Sequence, residues 1–484
     1  MADDLFTLDA TDQAALVRTG QVSALELVDS AIERITALNP DLNAVIWERF
    51  ERARDEAAAI TGANGPFAGV PLLLKDLGCP VAGEPDHQGS IALKQRGNVF
   101  DHDCSIIRRF EAAGFISLGR TNSPEFGLVS DTSNRAYGAT RNPWNTEHTP
   151  GGSSGGSSAA VAAGMVPVAH GNDGGGSLRI PAAHTGLIGL KPSRGRVSHA
   201  PDAGDPMLGH VTSGVLTRSV RDSATILDIL AGAEPGDPCQ PSMYAGGLGS
   251  ALWPPATGLR IGFVTQPDAS RWVTDPECAR AVETAASWLE GLGHRVEASH
   301  PAALAEEEFW GKWFDALSPT ITSAVGWVRT ISPEMTAEFD AITELWADRG
   351  RTMSARDLVE TLDWIDRYRR RMAGWWASGH DLLLCPVFLT PPPVLGSFWS
   401  RPDGVVDSVN ILRFTPQFNS TGQPAISVPI RWTDTNLPVG IQLVAAYGRE
   451  DLLLNVAAQI ELAHPWSHKY PASTGGQQDR HGGS

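Results

Sequence analysis

The chain has 484 residues, a formal net charge of −17 and a pI near 5.2. That length allows two or three domains or one large α/β unit, and the acidity excludes the basic footprint of a nucleic-acid binder. Cys79, Cys104, Cys239, Cys278 and Cys385 are scattered without a CxxC pair, which suits reduced thiols in a cytoplasmic setting better than a disulfide frame. The acidic start Met1–Asp4 lacks a basic n-region, and no run of about 18 apolar residues occurs, so the expectation is a cytoplasmic protein with no membrane or nucleic-acid partner.

Residues 1–60 read as an N-terminal helical segment. Ser23-Ala24-Leu25-Glu26 is a capping-box pattern, and Leu27, Val28, Ala31, Ile32, Ile35 and Leu38 then recur at helical spacing, with Pro40 expected to stop the run. Residues 61–470 read as the main domain. Within it Pro71-Leu72-Leu73-Leu74-Lys75 is an apolar run that ends on a lysine. Asp101-His102-Asp103-Cys104 resembles a metal cluster on paper, but its placement before Ser105 predicts a helix cap. The pattern predicts a helix and then a strand between 105 and 120 with a break at Gly114, a strand over Leu259–Val264, a helix over Pro276–Leu292, a strand at Arg295–Glu297 and a buried strand at Asp381–Cys385. Strands alternating with helices predict an α/β fold around a mostly parallel or mixed sheet. Residues 310–376 hold seven tryptophans, Trp310, Trp313, Trp327, Trp346, Trp364, Trp375 and Trp376, in a helical pattern. They suit either helix packing or an aromatic wall over a substrate entrance. The Gly/Gln-rich tail, 475–484, is expected to be disordered.

Two Gly-rich turns carry the chemistry. Gly151-Gly152-Ser153-Ser154-Gly155-Gly156-Ser157 precedes the apolar stretch Ala159–Ala163, so it reads as a turn opening a helix rather than as a linker. Asp173-Gly174-Gly175-Gly176-Ser177 follows it. Such turns allow close backbone approach to a serine and can aim N–H groups at a developing oxyanion. Lys75 is a candidate neutral base, since burial among leucines lowers an amine pKa. At the ordinary pKa of about 10.4, only on the order of 0.1% of it would be neutral at pH 7. Gly151-Gly152-Ser153-Ser154-Gly155 also satisfies G-x-S-x-G, the elbow of an α/β hydrolase. An elbow needs a preceding strand and a late histidine, for which His464 and His468 are available, but Arg141–Pro150 reads as turn.

The Lys75 segment, the GGSSGGS turn and DGGGS, at these separations, resemble the amidase signature family. Gly138–Trp144, Gly189–Pro192, Ser420–Ala425 and Leu437–Gln442 also read like family segments, and the resemblance covers roughly residues 5–470. Pro167–Asp173 and Val444–Leu454 look most like a branch that acts on nylon oligomers. The resemblance implies an amidase-signature fold, a central mixed sheet with helices on both faces. It also implies a Ser–Ser–Lys triad: Ser177 as nucleophile, Ser153 as bridge and Lys75 as base, with a cis peptide at Ser153. Gly174, Gly175 and Gly176, together with the Ser177 amide, would form the oxyanion hole. Asp173, Arg179 and Ser154 would support the turns. Ser123 and Phe126 would line the acyl side, and Trp313 and Leu317 would cover the entrance. No metal or cofactor is implied, and a homodimer is one assembly the family allows. The implied reaction is hydrolysis of apolar amides through an acyl-enzyme, with nylon-type linear or cyclic oligomers, anilides and carbamates (urethanes) as fitting substrates. A glutamine amidotransferase A-type subunit is an alternative, although such subunits usually carry Thr and Gln where this chain has Gly174 and Ile180. A non-catalytic binding module is the other.

Overall fold

Among residues 2–60, 62, 65–266, 272–332, 338–400 and 403–472, which the computed structural model describes, eleven strands build one mixed sheet. They are β1 (Val45–Glu48), β2 (Pro71–Lys75), β3 (Ile116–Thr121), β4 (Val168–Asp173), β5 (Ile188–Lys191), β6 (Thr212–Thr217), β7 (Arg260–Phe263), β8 (Arg295–Ala298), β9 (Leu382–Pro386), β10 (Ala425–Trp432) and β11 (Pro438–Ala445). Their spatial order is β1-β3-β2-β4-β6-β5-β10-β11-β9-β7-β8. Two patches are parallel, β3-β2-β4 and β9-β7-β8, and the remaining pairs are antiparallel.

Strand β2 is buried along its whole length, as a leucine run covered on both faces must be. Its alternation divides the core. Leu72 and Leu74 pack with Ile106, Phe110, Leu227, Val282 and Leu453 from helices on one face. Leu73 points the other way, to Val28, Ile32 and Ile35 of the helix Ala24–Leu42 and to the helix Gly155–Ala162. At the far end of the sheet, Leu383 and Cys385 of β9 join a third cluster with Phe309, Trp313, Trp346 and Tyr368, while Leu382 and Leu384 face the first. The third cluster holds the helices Glu308–Ile331, Ala341–Thr352 and Ala355–Ala377, where the Trp-rich segment falls.

Local signals locate most elements to within a residue or two. A helix Ser105–Ala112 precedes β3, with Gly114 at φ 89° between them, and a helix Pro276–Gly291 precedes β8. Two expectations fail. Pro40 does not stop its helix, which runs to Leu42 and ends on Asn43 in the left-handed region. A proline removes one donor, and in the last turn the remaining closure is made by Asn43 N–H to the Asn39 carbonyl. The acidic residues before Ser105 do not cap its helix: the N-cap is Cys104, without a side-chain bond, and Asp103 instead accepts from Ala82 N–H. His102 lies between Asp101 and Asp202, 2.9 Å from each. Tail residues 475–484 lie outside the described residues, and no described helix is long and apolar enough to cross a membrane.

Ser23 caps the N-terminal helix reciprocally with Glu26. Ser23→Ala is expected to lower stability by about 1 kcal/mol, read as a fall in the denaturant midpoint; an unchanged midpoint would show that tertiary packing alone holds this end.

Candidate active site

The parallel pairing of β2 with β4 brings Lys75 and the Asn172–Asp173 pair to the carboxyl ends of adjacent strands, the edge where open α/β sheets bind ligands. Two helices start beside them. Gly155–Ala162 begins just after Ser153, and Arg179–Thr185 just after Ser177. The first can sit this close to the sheet because Gly156 has no side chain: a Cβ there would lie 2.4 Å from the Asn122 amide nitrogen. The peptide between Gly152 and Ser153 is cis.

Lys75 is fully buried. Its Nζ lies 2.7 Å from Ser153 Oγ and donates to Asn172 Oδ1 at 2.6 Å. The Asn172 amide is oriented by its own Nδ2, which donates to the Leu77 carbonyl at 2.9 Å, so its oxygen faces the amine. Burial pushes the Lys75 amine down to about 7, against a weaker pull upward from the charge of Asp173. Asp173 is itself paired. Arg179 reaches both its oxygens, at 2.9 and 2.8 Å, and both side chains are fully buried. Burial alone would raise the Asp173 carboxyl; the Arg179 guanidinium outweighs it and holds the group well below the usual carboxylate range. Arg179 continues to Gln442 Oε1 and Asn419 Oδ1, both at 2.6 Å.

Asp173 also shapes the turn that follows it, accepting from the N–H groups of Gly176 at 2.7 Å and Leu178 at 3.1 Å. This corrects one expectation. The Gly176 amide points at Asp173 and is not available to an oxyanion. Gly176 is needed for another reason: its φ is 128°, and a Cβ there would lie 2.6 Å from both Ile180 Cδ1 and Thr415 Oγ1. The amides of Gly174, Gly175 and Ser177 make no hydrogen bond among the described residues. Ser154 is buried behind the turn, with Oγ donating to the Asn172 carbonyl.

Ser153, Ser177, Gly174 and Gly175 open into a cavity of about 220 Å³. Phe126, Trp313 and Leu317 line it; Ser123 does not. Ser123 is wholly buried, and its carbonyl accepts from Asn134. Sequence reasoning missed Asn172, although it directly precedes Asp173, and it missed Met207 and Leu412 on the cavity wall, where Trp346 of the Trp-rich segment also stands. The Trp313 and Trp346 rings meet edge to face, 5.4 Å apart. Among the described residues, no lining side chain is an Asp, Glu, Lys or Arg. The one lining histidine, His199, is held neutral by burial, down to about pH 4. The α/β-hydrolase elbow is excluded, because turns and not a strand precede Ser153 and His464 stacks on Trp288 at 3.7 Å.

The amidase family profile matches residues 26–454, and the chain belongs to that family, hydrolases of amide carbon–nitrogen bonds. It is 41% identical over 480 residues to the 6-aminohexanoate-cyclic-dimer hydrolase of Paenarthrobacter ureafaciens, with 96% of each chain covered. A 6-aminohexanoate cyclic dimer hydrolase solved with its substrate superimposes with a TM-score of 0.93 at 39% identity, over 97% of this chain and 99% of that one. A bacterial aryl acylamidase of the amidase signature family superimposes with a TM-score of 0.88 at 29% identity, over 98% and 99%.

Asp173→Asn would leave Arg179 buried without its counter-charge. The expected loss is about 3–5 kcal/mol of stability, measured by chemical denaturation. A loss under about 1 kcal/mol, the range of exposed pairs, would contradict the buried pairing.

Proposed function

We propose that the protein is a serine amidase that cleaves small, uncharged, apolar amides through an acyl-enzyme on Ser177. The observation that carries this reading is the 2.7 Å contact between Ser153 Oγ and a buried lysine amine, at the floor of a cavity that Ser177 shares. A neutral Lys75 keeps one lone pair. With one N–H directed to Asn172 Oδ1, that lone pair can accept the Ser153 proton while Ser153 Oγ accepts the proton of Ser177. The Ser177 oxygen bonds to the substrate carbonyl carbon, and the Gly174, Gly175 and Ser177 amides are the donors for the oxyanion. The proton then returns through Ser153 to the leaving nitrogen, the C–N bond breaks and an acyl ester remains on Ser177. Water repeats the relay and releases the acid. Asp173 and Arg179 hold the turn and take no proton.

The cavity lining supports the substrate class. An apolar wall without a formal charge favours neutral acyl groups, and it offers nothing to the carboxylate and ammonium of glutamine. The relatives' names point to the cyclic 6-aminohexanoate dimer and to aryl acylamides, and linear nylon-type oligomers and anilides present the same amide bond. Carbamates meet the same chemistry, since their carbonyl accepts the same attack.

Amine release from a nitroanilide, an aryl carbamate and the cyclic 6-aminohexanoate dimer is expected from the wild type and lost in Ser177→Ala, by at least about 10³-fold; full release by that variant would remove Ser177 as nucleophile. The pH dependence follows from Lys75. Below its pKa the amine is protonated and cannot accept, so kcat/KM should rise with pH through about 7 and then level off. A rate that stays flat from pH 6 to pH 8 would contradict a lysine base titrating there.

A further inference from the structure

A second cavity, of about 380 Å³, opens beside the helix Ala355–Ala377 and shares no lining residue with the first. Its charged lining groups are Arg194 and Arg369. Arg194 is held from behind, with Nε donating to the Gly209 carbonyl at 2.5 Å and Nη2 to the carbonyls of Asn419 and Ser420 at 3.2 and 3.1 Å. Its Nη1 makes no hydrogen bond among the described residues, and no described carboxylate stands within salt-bridge distance of it. Arg369 gives Nη1 to the exposed Asp366 at 2.8 Å and makes only long bonds, 3.4 and 3.3 Å, to the Ser420 carbonyl.

Both guanidiniums thus gather on one carbonyl near the end of the helix Pro416–Thr421. The partial negative charge of a helix C-terminus offsets only part of two cations. Burial and the neighbouring Arg369 both push the Arg194 guanidinium below its ordinary value. Asp205 lies outside the lining but close by: its Oδ2 and the Arg194 guanidinium face the same side of Gly209, and its charge pulls that guanidinium back up. Helix capping accounts for Nε and Nη2 of Arg194. It does not account for the unpartnered Nη1 beside the cavity, or for the apolar lining of Ala373, Trp376 and Ala446.

We propose that this cavity is a second ligand site for a small monocarboxylate, with the guanidiniums of Arg194 and Arg369 taking the carboxylate and Trp376, Ala373 and Ala446 taking its apolar body. Planar guanidinium forks match a carboxylate, and because Asp205 and Asp366 already offset part of the positive charge, the site suits a monoanion and no higher charge. The acid released by an amidase belongs to this class. The site also adjoins the first cavity through one residue: Arg194 holds Gly209, in the turn Pro206–Gly209 whose Pro206 and Met207 wall the active-site cavity.

The site carries its own reporter. Cys239 lines it and is partly exposed, whereas the other four cysteines are buried. The test is the rate of Cys239 labelling by a thiol reagent in the full chain, with hexanoate, hexanamide or inorganic phosphate added at constant ionic strength. Hexanoate should slow labelling saturably and hexanamide should not, and in Arg369→Gln the half-protecting hexanoate concentration should rise about tenfold. Arg369 is half-exposed, so this variant is not expected to disturb folding. The proposal is overturned if hexanoate gives no protection, if hexanamide or phosphate protects as well as hexanoate, or if Arg369→Gln leaves the protection unchanged.

Discussion

A primary amine with no access to water is the constraint on which the rest of the site depends. Lys75 reaches that state because the last residue of a strand buried on both faces has nowhere else to put its side chain. Removing the amine from water disfavours its charged form, and two neighbours decide what it does next. Asn172 gives it a neutral acceptor, and Ser153 gives it a hydroxyl. A carboxylate in Asn172's place would hold the proton on the amine. An amide leaves the lone pair available.

Asp173 lies close enough to pull the Lys75 amine upward, and it is itself paired with Arg179. The pair sits inside a closed network of Gln442, Asn419 and the Thr415 carbonyl, so both charges are matched by hydrogen bonds as well as by each other, the condition under which a buried ion pair is tolerable. The same carboxylate takes the Gly176 and Leu178 amides and thereby fixes which amides of the DGGGS turn remain open. The shape of the DGGGS turn therefore rests on Asp173. Lys191 makes a useful contrast. Burial brings it to about 7 as well, yet among the described residues its Nζ donates only to the Pro192 carbonyl. A lowered pKa is thus not sufficient to identify a base; the proposed relay rests on the serine that adjoins Lys75.

The parts of the fold and site legible in the sequence are those set by short-range rules. The capping box, the leucine run of β2 and the two Gly-rich turns each carry their cause within a few residues. The family resemblance added the assembly of these turns with Lys75, which spacing alone does not dictate. Local signals failed where two outcomes were compatible with the same residues: Pro40 was tolerable in a last turn, and Asp103 found a better partner in Ala82 N–H than in the helix it precedes. The cavity wall was least legible. Met207, Trp346 and Leu412 come from segments far apart in the chain, and their meeting follows from the packing of the cover helices rather than from any motif. Of the seven clustered tryptophans, only Trp313 and Trp346 reach the active-site cavity; Trp376 lines the second one.

The central claim is that burial brings the Lys75 amine down to about 7, so that about half of it is neutral at pH 7. The chain has five lysines, few enough for each ε-carbon to be followed by NMR after selective ¹³C labelling, with Lys75→Met and Lys191→Met assigning the two buried signals. The account predicts a Lys75 titration midpoint near 7. A midpoint near 10.4, the value of an exposed lysine, would mean that the amine is charged at working pH and cannot be the base.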